Sequence, residues 1–126
     1  MAAAALVAVP PARADTTAGP PYIARTAWVT YDGLPTLRVY LTVTGRQIAG
    51  RIGKTPEQTS DAWDEVLASA PDADTAGMRA QFLCHWNFAE LAEPGKPSWD
   101  LEPWRPDVDA GVMLLAGCNP GGAELG

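Results

Sequence analysis

The sequence is poor in the groups that most often do chemistry. Its 126 residues hold one histidine, His85, and two cysteines, Cys84 and Cys118. One imidazole cannot form a zinc site without two or three further ligands, so metal chemistry of that kind is disfavoured. No G-x-S-x-G stretch occurs, which removes the serine elbow of the α/β hydrolases; Ser60, Ser69 and Ser98 stand in cap, helix and loop contexts. No apolar run approaches the roughly 20 residues of a membrane-crossing helix. Basic residues are scarce, 9 against 15 acidic ones, for a formal net charge of −6. Residues 55–126 carry most of the imbalance, and an acidic surface repels nucleic acid and anionic lipid. The basic groups Arg38, Arg46, Arg51 and Lys54 are too sparse to track a phosphate backbone. No cofactor motif and no internal repeat is present.

What is there fits one small, loop-rich domain. The length allows a single core, and 12 Gly and 12 Pro punctuate it. Residues 2–9 are small or apolar, and Ala12-Arg13-Ala14 matches the pattern that a signal peptidase accepts. No basic residue precedes that run, so residues 1–14 read as the remnant of a signal peptide. Residues 15–21 then form a flexible lead-in, residues 22–120 a single domain and residues 121–126 a loose tail. The expected location is secreted, extracellular or in the cell envelope. In that oxidising setting two cysteines pair. A Cys84–Cys118 bond closes a loop of about 35 residues and stabilises by roughly 4 kcal/mol. The rival, a free Cys84 thiol activated by His85, is poorer, because neighbours on a helix point about 100° apart.

Local patterns predict an α+β fold: a small antiparallel sheet, made of an N-terminal hairpin plus a C-terminal strand, with two helices on one face and one disulfide. "YIARTAWVT" and "TLRVYLTV" read as strands joined through "YDGLP", a loop of about five residues. "TGRQIAGRIGK" is ambiguous and admits an irregular strand around Gln47–Arg51. Thr55-Pro56-Glu57-Gln58 has the marks of a helix start, and Pro71 stops that helix. Thr75 can cap a second helix through "QFLCHW". The four prolines of residues 92–107 argue against regular structure there. "AGVMLLAGC" reads as a buried strand, so the disulfide is expected to clamp helix to sheet.

Three groups of residues deserve weighing as sites. In the proline-stiffened stretch 96–106, Trp99, Trp104, Arg105 and Lys96 could form a ready-made contact surface for an extracellular protein, peptide or carbohydrate, since Trp and Arg dominate interface energetics. The alternative is that both indoles cover the helix–sheet core. A hydrolase would use His85 as base with Asp100 or Glu102; a lone His beside aromatics is more often structural. Asp100, Glu102, Asp107 and Asp109 could hold a stabilising calcium ion, although the spacing is not that of an EF-hand. A non-enzymatic binding module, acting as a monomer and without cofactor, is the preferred expectation.

The stretches "AWDEVLASAPDADTAGM", "QFLCH", "GKPSWDLEPWRPDV" and "GCNP" together resemble a family of secreted bacterial proteins, common in actinobacteria and known as domain of unknown function 2599. The resemblance spans residues 22 to 120. It departs at Asp100, where typical members carry asparagine. It implies export and a paired Cys84 and Cys118, and it supplies no activity.

Overall fold

The computed structural model describes residues 19–122. The expected leader remnant, most of the lead-in and residues 123–126 lie outside the described residues.

Strand β1 runs Ile23–Tyr31 and β2 runs Leu34–Leu41. Their loop is two residues, not five. Asp32 and Gly33 both take positive φ, 51° and 80°, as a type I′ turn requires; its twist matches that of the strands it joins. Pro35 therefore lies inside β2. Its missing N–H faces the side that no strand covers at that level, since the third strand pairs only with Leu37–Val39.

The ambiguous segment, which admitted an irregular strand around Gln47–Arg51, forms instead a helix, α1 (Val43–Ala49), capped by Thr42, whose Oγ1 accepts from Gly45 N–H at 2.8 Å. Gly45 is required at that place: a Cβ there would lie 2.0 Å from the Tyr22 carbonyl oxygen. Helix α2 (Pro56–Ser69) begins as predicted. Gln58 N–H donates to Thr55 Oγ1 at 3.1 Å, and Thr55 N–H donates to Gln58 Oε1 at 2.9 Å. A 3₁₀ turn, Pro71–Ala73, leads to α3 (Ala76–Ala92), capped by Thr75.

Two elements differ from expectation after α3. Trp99–Leu101 forms β3, inside the stretch whose prolines argued against structure. Pro97 and Pro103 bound this strand rather than forbid it. The run "AGVMLL", expected as a buried strand, is helix α4 (Ala110–Leu115). Asp109 caps it, accepting from Val112 N–H at 2.9 Å. Of its six residues only Met113 is buried, so it is a surface helix and offers no row of side chains to a sheet.

The sheet order is β1-β2-β3, antiparallel throughout, with Leu37 opposite Leu101 and Val39 opposite Trp99. Leu37, Val39, Leu41, Trp99 and Leu101 share one face and are buried. They meet an aromatic cluster from α2 and α3. Phe82 stacks near Trp86 at 6.0 Å and tilts against Trp63 at 5.4 Å, while Trp86 meets Trp99 edge-on. The α+β architecture with one disulfide holds, with four helices among the described residues instead of two. None of these is long and apolar enough to cross a membrane. The Cys84–Cys118 bond ties α3 to the turn after α4, with Cα atoms 5.6 Å apart, rather than to the sheet. Cys118 sits at φ 68°, a left-handed conformation costing about 1–2 kcal/mol for a residue with a side chain.

Candidate functional site

The aromatic stretch 96–106 is mostly framework. Trp99 is 0% exposed. Trp104 is half-buried, with the Arg105 guanidinium 4.5 Å above its ring. Arg105 is itself buried: its Nε donates to Glu102 Oε1 at 2.5 Å, and its Nη1 donates to the carbonyls of Pro120 at 3.0 Å and Gly122 at 2.6 Å. A buried ion pair of this kind demands good geometry and further bonds to offset desolvation. The carbonyls provide them, and they fix the backbone after the disulfide to the loop after β3.

Gln81 completes this frame, and sequence reasoning assigned it nothing beyond a helix face. Its Nε2 donates to the Glu102 carbonyl at 2.9 Å, and Glu102 N–H donates to Gln81 Oε1 at 2.8 Å. The side-chain amide thus extends the backbone ladder where β3 ends. A glutamine inside an otherwise apolar stripe was the available signal, since a buried amide needs partners for both ends.

His85 is 3% exposed. Its Nδ1 lies 2.8 Å from the Gln81 carbonyl, and its ring stacks on Trp99 at 5.9 Å. Asp100 follows Trp99 in β3, so its side chain points to the opposite sheet face. There it lies 3.5 Å from Arg38 Nε. Desolvation pulls the Arg38 pKa down, but Asp100, Tyr31 and Tyr40 together outweigh it and hold the guanidinium above its ordinary value. Glu102 is engaged with Arg105. The imidazole and the two carboxylates therefore sit in three different surroundings. The four carboxylates weighed for calcium are also dispersed, Asp109 being a helix cap. Among the described residues no group of three or more His, Cys, Asp or Glu could hold a metal ion.

One group of exposed apolar side chains lies elsewhere, on α3 and α4. Leu115 is 90% exposed and Phe88 41%; Leu91, Val112 and Leu114 join them. Phe88 stands between two hollows. One, of about 260 Å³, is lined by Ala80, Leu83, Val108 and Met113 and backs onto Cys84. The other, of about 270 Å³, is lined by Ala89, Ala92 and Leu114 together with the polar His85, Glu93, Lys96 and Asn119. Of the four residues weighed as a loop surface, Lys96 borders one of these two hollows and Trp99, Trp104 and Arg105 border neither. The α4 part of the lining, Ala110, Met113 and Leu114, was hidden from sequence reading because α4 was read as a strand.

These features define a small disulfide-closed α+β domain with a polar internal frame and an apolar outer face on two helices. The chain belongs to a family described as protein of unknown function (DUF2599), whose model matches residues 23–121. Uncharacterized protein Rv0477 of Mycobacterium tuberculosis and uncharacterized protein Mb0487 of Mycobacterium bovis are each 49% identical to it over 138 residues, covering 98% of this chain and 92% of theirs. Uncharacterized protein ML2452 of Mycobacterium leprae is 42% identical over 106 residues, covering 82% of this chain and 83% of its own. No solved structure matches.

Proposed function

We propose that this protein is an exported, disulfide-stapled interaction module, without catalysis, that grips an apolar peptide segment of another extracellular or envelope protein on its α3–α4 face. The observation that carries the reading is the pair of hollows flanking the exposed Phe88, one of them also lined by the exposed Leu114; Leu91, Val112 and Leu115 are exposed on the same two helices. Concave apolar surface of this kind marks contact sites, whereas single exposed apolar residues need no explanation. The first hollow, walled mainly by Ala80, Leu83, Val108 and Met113, suits an apolar peptide side chain, while His85, Glu93, Lys96 and Asn119 on the second can meet a peptide's polar groups. Lys96 lines one hollow.

Export is supported by the disulfide and by the Ala12-Arg13-Ala14 pattern. Expression of the full-length chain in a mycobacterial host tests it. Recovery from the medium or envelope, starting near Asp15 and two hydrogens lighter than the dithiol, agrees; a cytosolic protein with two free thiols sinks it. For the surface, the oxidised protein is screened against a random displayed-peptide library. Enriched apolar peptides whose binding is lost in the double variant Phe88→Ser, Leu115→Ser support the reading. Binders indifferent to that pair refute it.

A further inference from the structure

Among the described residues no strand pairs with the outer side of β1, a nine-residue edge strand. Folded proteins guard such edges with lysines, prolines, inward charges or bulges. β1 has few of these devices. It contains no proline and one charge, Arg25, and its register irregularity is confined to the beginning, between Ile23 and Arg25. The segment Arg25–Tyr31 is left straight, with Trp28, 44% exposed, at its midpoint. We propose that this edge pairs with the same edge of a second copy, antiparallel and about a two-fold axis at Trp28, making a dimer with one continuous six-stranded sheet.

The hydrogen-bonding phase of the strand fits that arrangement. In a two-residue hairpin the residues flanking the turn bond each other, so Tyr31 faces Leu34. Alternation then directs Val29, Ala27 and Arg25 toward β2. The N–H and C=O groups of Thr26, Trp28 and Thr30 point outward. Placing the two-fold at Trp28 sets these groups against their counterparts: Trp28 meets Trp28, and Thr26 meets Thr30 of the second copy. Side-chain pairing agrees as well. Arg25, whose guanidinium lies 3.8 Å over its own Tyr40, comes opposite Tyr31 of the second copy. The strand's one charge therefore comes opposite Tyr31, whose hydroxyl accepts from Arg38 of its own chain, and not opposite its own image, which would repel it. Because Trp28 is the midpoint of the straight segment, no other two-fold register pairs as much of it. The contact is isologous and closed, as a two-fold dimer requires. It uses neither Phe88 nor Leu115, so it is independent of the apolar face assigned above.

Sedimentation velocity on the oxidised full-length chain tests this directly. The expected mass is twice the 13.3 kDa of one chain. Thr30→Pro removes one outward N–H per copy and leaves the bonds to β2 alone, so the hydrogen-exchange protection of β2 is kept while dimer affinity falls about tenfold or more. Trp28→Cys brings the new thiols together at the axis, and oxidation yields a covalent dimer. A chain still monomeric at about 1 mM overturns the proposal, and one that is monomeric yet takes up an extended peptide along β1 does so too. So does a dimer that Thr30→Pro leaves intact and Leu115→Ser weakens, which would place the contact on α3–α4. Open-ended filaments overturn it as well, since the paired edge is used up.

Discussion

Residues 96–106 and the outer face of α3–α4 carry opposite appearances in sequence and opposite exposures in the fold. The first looks like a binding loop, with two tryptophans, an arginine and a lysine among prolines. In the fold Trp99 is a core side chain, and Arg105 is a buried tie between Glu102 and the carbonyls of Pro120 and Gly122. The second reads as ordinary aliphatic sequence, yet it leaves Leu115 and its neighbours in water. Residue type therefore predicts interface energetics only for side chains that reach the surface. In a domain of this size the large aromatics are drawn inward first, because few other groups supply comparable buried area.

The sharpest break of that contrast is at Trp99. Trp99→Ala should cost about 3–5 kcal/mol, because it empties a site surrounded by Phe82, Trp86 and His85. Trp104→Ala, five residues on, should cost about 1 kcal/mol, mainly its contact with Arg105. Urea unfolding of both variants checks the pair. Equal losses would show that the stretch is uniformly loose or uniformly buried.

The disulfide comes next. Cys84→Ser with Cys118→Ser should lower stability by roughly 4 kcal/mol, from a bridge spanning 34 residues. The loss should concentrate around α4. This helix holds one buried residue, Met113, and packs in a small separate cluster with the two sulfurs. Hydrogen exchange should therefore show α4 opening first while β2 stays protected. Simultaneous opening would mean that α4 is held by the main core.

Gln81→Leu should cost about 2–3 kcal/mol, since it keeps the volume but strands the N–H and C=O of Glu102 in a buried position. Thermal melts of Gln81→Leu beside Gln81→Glu separate shape from hydrogen bonding. The glutamate keeps the acceptor for Glu102 N–H and loses the donor to its carbonyl.

What could be read from sequence follows the range of the forces involved. Thr55 and Thr75 announced their helices because a cap acts on N–H groups three residues away. Thr42 and Asp109 act in the same way, but each precedes a helix of only seven or six residues. Such a run is too short to separate helical from strand periodicity. The pairing of the two cysteines followed from their number, whereas what they join depended on α4 and was misread with it. β3 was invisible for a different reason. Its three residues become a strand because Leu37–Val39 of β2 lie beside them, a partner about sixty residues earlier. The candidate site inherits both errors. The apolar face exists only once α4 is a helix, and Trp99 is excluded from it only once β3 is a strand.

The smallest expected effect on stability falls on that face, and it is the most telling. Leu115→Ser should change the unfolding free energy by no more than about 0.5 kcal/mol, as surface substitutions away from packed features do. Leu115 is 90% exposed at the end of a short helix, so the fold gains almost nothing from its leucine. A loss well above 1 kcal/mol would mean that Leu115 packs in solution, and the apolar face would then be part of the fold. If stability is unchanged while apolar peptide binding falls, stability and recognition reside in different parts of this chain. The tryptophans and Gln81 would then serve the first, and the aliphatic face of α3–α4 the second.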